Sequence, residues 1–306
     1  MSARAGPVVL LAGGTGGAKL ARGLLDVVAP DELVVIANTG DDIEIYGGYV
    51  SPDPDLITFR LADRIDERGW GLAGDTFHVM EGLKELGVEV WFNLGDRDLA
   101  IALERARALK RGARLTEAHT QLTQALGVSA GVLPMSDQPV RTRVLAQGRW
   151  WPFQEFMIAG HGSGPVEDVE LKGAREAKPT PEVLAAIAGA RAIIIGPSNP
   201  FVSIEPILAT GSIRQAIRRS PAPVVAVSPL VDGKVLKGPT DVFMQWAQLP
   251  LSSDGIATVY AGVIDGLVAD QRTDLVPTLQ APVLIDNPRA GAELAERTLG
   301  FAAELL

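Results

Sequence analysis

An α/β fold on a mostly parallel, Rossmann-like sheet is what the sequence predicts, and three observations predict it. The apolar run PVVLLAG (7–13) enters a glycine-rich turn, the helical pattern GGAKLARGLLDVV (16–28) leaves it, and a second apolar run, ELVVIANTG (32–40), follows. Strand, glycine turn, helix and strand in that order mark a βαβ unit. The alternation resumes near residue 181 and continues to the closing helix. Third, 306 residues that are 47% hydrophobic, with 33 glycines and 21 prolines, can bury a sizeable core and have the composition of an ordinary globular α/β chain. We read one α/β domain over 1–306, with a mainly helical insertion at about 60–135 and a small β-hairpin region.

The elements follow in order. In the first helix Leu20, Leu24 and Val27 or Val28 recur on one face. From Leu56 to about Val132 the pattern is mostly helical: TFRLADRIDERG, DTFHVMEGLKELG, RDLAIALERARALKRG and LTEAHTQLTQALG each carry a 3.6-residue period. Between them VEVWFNLG (88–95) reads as a strand. Residues 140–160 alternate apolar and polar around Gln147-Gly148, which predicts a hairpin. A helix at 181–189, a strand at 190–196, a helix from about Ser203 to Arg219 and a strand at 222–230 come next. GIATVYAGVIDGLVA (255–269) reads as a helix with β-branched interruptions, PVLIDN (282–287) as the last strand, and GAELAERTLGFAAELL as the closing helix. No repeat, low-complexity segment or linker interrupts them.

The totals exclude several classes of function. A net charge of −9 is unsuited to a polyanion, so no nucleic-acid partner is expected. The absence of cysteine removes disulfides, thiolate catalysis and cysteine-ligated zinc. No apolar run approaches ~18 residues, so no membrane span is expected. The stretch MSARAGPVVLLAGG lacks the apolar length of a signal peptide, and a cytoplasmic location is expected. His78, His119 and His161 have no metal-ligand spacing, and no Gly-x-Ser-x-Gly elbow is present.

Four segments carry candidate chemistry. Gly13, Gly14, Thr15, Gly16 and Gly17 form a turn whose amides, with the helix N-terminus behind them, suit phosphate. No Gly-Lys-Ser/Thr closes it, so it is not a Walker A loop, and Lys19 stands where the dinucleotide fingerprint needs its third glycine. A tight strand-to-helix turn is the plainer alternative. Lys19 either neutralises phosphate charge or is a solvated helix lysine.

In the second segment, Asn38 to Leu56, Asp41, Asp42, Asp53 and Asp55 fall within fifteen positions. Carboxylates beside a phosphate cradle require a cation, and hard oxygen ligands select magnesium; turn chemistry explains the same residues without one. The third is NLGDRD (93–98), where Arg97 can fork onto phosphate or a carboxylate while Asp96 caps a helix. The fourth is GPSNP (196–200), where Ser198 and Asn199, with Ser203 beyond, offer donors to a nucleotide or simply connect strand to helix.

Taken together, GGTGGAK (13–19), NTGDD (38–42), SPDPD (51–55), RGWG (68–71), DTF (75–77), LGDRDLA (94–100), GPSNPFVSIEPIL (196–208) and VSPLVDGKVLKG (227–238) resemble the 2-phospho-L-lactate transferases of deazaflavin coenzyme (F-420) biosynthesis, in order and over most of the chain. The resemblance implies a magnesium-dependent, dimeric transferase. It would move a phosphorylated three-carbon acid, lactyl or enolpyruvyl, from a guanosine diphosphate conjugate to 7,8-didemethyl-8-hydroxy-5-deazariboflavin, releasing GMP. By position it implies that Asp55 contacts the deazaflavin and metal and carries catalysis, that Asn93 contacts the deazaflavin with Arg97 beside it, and that Asp42 lies at the metal. Pro54 and Leu56 depart from the family's usual Leu and Thr. A related glycine-loop group binds nucleotide sugars and regulates carbon metabolism without this catalysis. It carries a glycine- and serine-rich segment after its Asp-Asp pair, whereas Asp41-Asp42 here is followed by IEIYGGYVSPDPDL.

Overall fold

A computed structural model of the protein describes residues 6–306. Met1–Ala5, the start of the stretch read above for a signal peptide, lie outside the described residues. The first strand, β1 (Val8–Ala12), has no exposed residue. A strand buried on both faces must be apolar throughout, and VVLLA is. It runs parallel to β2 (Leu33–Ala37), in register from Val8↔Leu33 to Ala12↔Ala37. The crossover is α1 (Gly14–Leu25), which buries Leu20, Ala21 and Leu24. A small hairpin, β3 (Ile43–Ile45) and β4 (Gly48–Val50), leads into α2 (Pro52–Leu61). The segment SPDPD is therefore the start of a helix. Pro52 occupies its first turn, where a missing N–H costs nothing, and Asp53 and Asp55 complement the N-terminal dipole.

Three helices follow: α3 (His78–Glu85), α4 (Asp96–Lys110) and α5 (Leu115–Ala125). The helix expected to run on to residue 69 stops at Leu61, and residues 88–95 are not a strand. Val90 and Phe92 pack on Met80, Leu94 and Leu99 without a pairing edge. Two aspartates cap reciprocally here. Asp96 accepts from the amides of His78 (3.1 Å) and Val79 (3.0 Å) at the start of α3, while Asp75 accepts from Arg97 N (3.0 Å) at the start of α4. The chain then enters β5 (Gly131–Pro134), parallel to β2.

The predicted hairpin is β6 (Arg141–Ala146) and β7 (Arg149–Pro152), with Gln147 and Gly148 at φ +56° and +70° as a two-residue primed turn requires. After α6 (Phe153–Ile158), β8 (Val166–Lys172) adds a third strand to this small sheet. Then α7 (Pro181–Gly189) leads to β9 (Ala192–Ile195), which lies against β1. The helix expected from Ser203 to Arg219 is broken: a wide turn at 200–204 continues into α8 (Glu205–Ala209), and α9 (Ile213–Arg219) begins after Gly211, at φ +46°. Beyond β10 (Val224–Val227), a short ribbon of β11 (Leu230–Val231) and β12 (Lys234–Val235) precedes α10 (Thr240–Trp246).

Two further expectations need correction. Residues 255–269 are α11 (Ser253–Val259) and then strand β13 (Gly266–Ala269), separated by Gly262 at φ +69°. The last strand is β14 (Thr278–Gln280), not 282–287, and α12 (Pro288–Glu304) closes the fold.

The central sheet has the order β14-β13-β10-β9-β1-β2-β5, all parallel. From β1 the chain moves outward through β2 to β5, returns to β9 on the other side, and moves outward again. Side chains alternate between the two faces: Val9, Leu11, Ile193 and Ile195 enter one core, and Val8, Leu10, Ala12 and Ile194 the other. The strand order reverses between β1 and β9, where such sheets open a crevice at their carboxyl ends. Among the described residues no helix is long and apolar enough to cross a membrane.

Candidate active site

A cavity of about 440 Å³ opens at that reversal. Its floor combines the turn after β1 (Gly13, Gly14, Thr15, Gly16, Lys19), the turn after β9 (Pro197, Ser198, Asn199) and Ser203, with Asp41 and Asp53 beside them. Trp70, Phe153, Met157, Leu236 and Leu284 also line it.

The turn after β1 is built to approach closely. Gly14 has φ +62°, a left-handed conformation that favours glycine. A Cβ on Gly16 would overlap the Pro197 carbonyl, so this glycine lets the two turns touch. Gly17 faces Ala12 and Ser198 and is absent from the cavity lining; it serves packing. Gly13, the helix N-cap, has no side chain to cap α1, and no acidic residue stands in the first turn. Amides and dipole there are suited to an anion. Lys19 donates to the Ile285 carbonyl (2.6 Å); burial, then Arg60 and Lys237, lower its pKa, and Asp286 opposes them.

Asn38, fully buried at the end of β2, organises the acidic side. Its amide donates to Asp53 Oδ2 (2.9 Å) and the Val202 carbonyl (3.3 Å), and its oxygen accepts from Gly40 N (2.8 Å). Asp53 Oδ1 accepts from Gly14 N (2.7 Å), which joins α2 to the glycine turn. Burial raises the Asp53 carboxyl to about 6, against the hydrogen bonds from Gly14 and Asn38. Asp41 is pushed well up by burial and then by Asp53, and its Oδ1 is buried without a hydrogen-bond partner. Two carboxylates with an unsatisfied oxygen at an anion cradle fit a hard cation whose shell the anion completes. Among the described residues no group of three or more His, Asp or Glu side chains is placed to hold a metal alone.

The other two aspartates of the loop do not line the cavity. Asp42 accepts from Tyr49 (2.9 Å) and Ser51 (2.7 Å), and burial raises it to about 7 against the pull of Arg141. Asp55 is tied through both oxygens to Arg105, a guanidinium with no exposed surface that also donates to the Tyr49 carbonyl (2.8 Å). His119 lies behind, 3.2 Å from the Thr58 hydroxyl. Thus the expected metal positions, Asp42 and Asp55, lie outside the cavity lining, while their neighbours Asp41 and Asp53 line it, Asp53 with its oxygens also held by Gly14 and Asn38. Asn93 and Arg97 are exposed and also lie outside the lining, so Arg97 does not point into the crevice as expected.

In the turn after β9, Ser198 Oγ accepts from Gly13 N (3.3 Å). Asn199 Oδ1 accepts from Phe201 N (2.9 Å) and Val202 N (3.3 Å), which fixes the amide orientation and leaves a buried, unpartnered NH₂ at the cavity. Sequence reasoning passed over Asn38 and Trp70 as site residues, although both lie in motifs that carry the resemblance, NTGDD and RGWG.

Known proteins match this chain along nearly its whole length. The family model described as 2-phospho-L-lactate transferase CofD matches residues 8–296. The 2-phospho-L-lactate transferase of Methanosarcina mazei is 38% identical, covering 87% of each chain. The phosphoenolpyruvate transferase of Kitasatospora aureofaciens is 39% identical, covering 97% of this chain and 98% of its own. Among solved structures, a UPF0052-family protein of Bacillus halodurans superimposes with a TM-score of 0.60 over 97% of this chain and 99% of its own, at 19% identity, a likeness of fold. Sequence motifs, sheet topology and the match along nearly the whole chain converge: the protein belongs to the 2-phospho-L-lactate transferase family.

Proposed function

We propose that this transferase moves a phospho-lactyl or phosphoenolpyruvyl group from a guanosine diphosphate conjugate to the terminal ribityl hydroxyl of 7,8-didemethyl-8-hydroxy-5-deazariboflavin, releasing GMP. The observation that carries the reading is the meeting, in one crevice, of two cavity-facing carboxylates with a helix N-terminus that its own N-cap residue does not cap and whose first amide alone is held, by Asp53. A diphosphate fits the first feature and a magnesium ion fits the second. Magnesium, when bound, would neutralise charge on the diphosphate as the leaving GMP develops it.

The chain's own residues have separate tasks in this reading. The first-turn amides of α1 beyond Gly14, whose own amide is held by Asp53, act with Lys19 to hold the diphosphate. Ser198 and the free Asn199 amide contact the nucleotide. Asp41 and Asp53 hold the metal, and Asp53, fixed by Asn38 and Gly14, orients the acceptor hydroxyl. Asp42 and Asp55, the positions that the resemblance implies, support these two from one residue after Asp41 and two residues after Asp53, on the far side of α2. As the resemblance also implies, the protein acts as a cytoplasmic homodimer, which sedimentation at micromolar concentration tests.

The test of function is direct. Purified protein is incubated with the deazaflavin, magnesium and either the lactyl or the enolpyruvyl conjugate, and products are weighed by mass spectrometry. The expected result is GMP together with a deazaflavin heavier by one phospho-acid. Guanosine nucleotide binding without product from either donor would favour the nucleotide-binding regulatory alternative.

A further inference from the structure

Arg105, on α4, does not line the cavity, yet it is a full positive charge with no exposed surface. Its guanidinium donates to both oxygens of Asp55, one at 3.1 Å, and to the Tyr49 carbonyl (2.8 Å). These partners lie on either side of Ser51, the residue before α2. The same guanidinium faces His119 Nδ1, on α5, at 3.5 Å. Burial, then Arg105, push the His119 pKa well below its usual value, so the ring is neutral. A guanidinium only donates, so Nδ1 accepts and the ring's one proton sits on Nε2. Nε2 then donates to the Thr58 hydroxyl (3.2 Å), and that hydroxyl to the Pro54 carbonyl (2.8 Å). One chain of hydrogen bonds therefore joins α4 and α5 to Pro54 and Asp55, the two residues that follow Asp53.

The start of α2 does little to hold itself. Ser51 makes no side-chain cap, because its hydroxyl donates to Asp42, and Pro52 and Pro54 have no N–H. The turn is gripped from outside instead. Gly14 and Asn38 hold it through Asp53, and Arg105 holds the opposite side through Asp55. A buried ion pair adds little net stability over apolar side chains of similar volume, because both charges give up their water. What a forked pair supplies is direction. We propose that Arg105 is a positioning residue: it fixes the rotation of the first turn of α2 and so aims Asp53 at the metal. This inference rests on the metal-holding role of Asp53 proposed above.

The experiment separates charge, fork and fold. Guanosine diphosphate binding is titrated by calorimetry over a range of magnesium concentrations, with urea denaturation alongside. The proteins are wild type, Arg105→Lys and the double variant Arg105→Met/Asp55→Asn. Arg105→Lys keeps the charge but loses the planar fork. The double variant leaves neither charge buried alone, so its urea midpoint should stay near that of wild type. Both variants should need roughly tenfold more magnesium to reach half-maximal nucleotide binding, the scale of a lost support behind a metal ligand. Nucleotide affinity without magnesium should not change. At saturating magnesium kcat should fall while the acceptor KM holds. A stable double variant with the wild-type magnesium midpoint overturns the positioning role and leaves the proposed function intact. A wild-type midpoint in Arg105→Lys overturns it as well, since charge without direction then suffices. If the double variant does not fold, the midpoint of Arg105→Lys decides by the same criterion. Wild type whose nucleotide binding ignores magnesium overturns the metal role of Asp53 and this inference with it.

Discussion

Asp53 and Asp55 lie two positions apart and have opposite surroundings, because at 100° per residue a helix turns them roughly 200° from each other. The sequence named both, but read Ser-Pro-Asp-Pro-Asp as a loop, where no face is defined. Serine followed by proline at a helix start was the available signal, and it separates the cavity-facing aspartate from the one that meets Arg105. Two substitutions test the division. Asp53→Asn should weaken magnesium-dependent guanosine diphosphate binding and, at saturating nucleotide and magnesium, depress single-turnover rate by at least about a hundredfold, the scale of a lost general base or more. Asp55→Asn leaves the Arg105 guanidinium buried without its counter-charge, and should cost about 3–5 kcal/mol in urea denaturation. If Asp55→Asn instead keeps wild-type stability and loses turnover alone, the resemblance-implied role of Asp55 stands and the division fails. A third residue supplies a pH test. Burial, then Asp55 and Asp75, raise Asp98 to about 7. Its folded pKa exceeds its unfolded value, so the native state binds the proton more tightly, and the residue's contribution falls as pH rises from about 4 through 7. Asp98→Asn should therefore gain thermal midpoint relative to wild type across that window, with a constant difference above it.

At the scale of elements, the strands flanking the site were legible because a fully buried parallel strand is an uninterrupted apolar run, and PVVLLAG and ARAIIIG are such runs. Residues 282–287 misled because alternation reports burial, whereas a strand also needs a hydrogen-bonding neighbour. Val283 and Ile285 point into the core and Leu284 outward, and β14 already forms the edge of the sheet. The segment instead closes the cavity and gives Lys19 a carbonyl. The glycine turn was legible as a turn, but its reasons are divided among its glycines in a way spacing does not reveal. Gly16→Ala places a methyl on the Pro197 carbonyl and should lower stability by about 1–3 kcal/mol, with guanosine diphosphate binding weakened as the two turns part. Gly14→Ala meets only the Ser203 hydroxyl, at an ordinary contact of 4.0 Å, and bears mainly the left-handed backbone cost, about 1 kcal/mol. Melting curves and calorimetry on the two variants check the order.

For the whole molecule, the reversal of strand order between β1 and β9 sets where the cavity must be, and the alternation of patterns in the sequence was enough to predict a parallel sheet but not its order. Order depends on which side of β1 the chain returns to after a long excursion, and no local pattern encodes it. The acidic balance of the chain, −9, makes a bare diphosphate an unfavourable guest at a site with two carboxylates. Binding of nucleotide and metal should therefore be mutually dependent. Magnesium alone and guanosine diphosphate alone should each raise the thermal midpoint little, and together by more than the sum, since ligand stabilisation grows with the logarithm of occupancy over affinity. Additive shifts would mean that the two ligands do not meet.

The packing of α12 on α1 has a consequence in time. A side chain on Gly23 would overlap the Gly291 carbonyl, so the first helix and the last are in backbone contact, and the helix so held is the one whose N-terminus forms the cradle. A ribosome makes the cradle well before its clamp. Until α12 has been made, the apolar face of α1, with Leu20 and Leu24, lacks part of its permanent cover and should be open to chaperones. The cradle is thus made early and is secured only when α12 docks on α1.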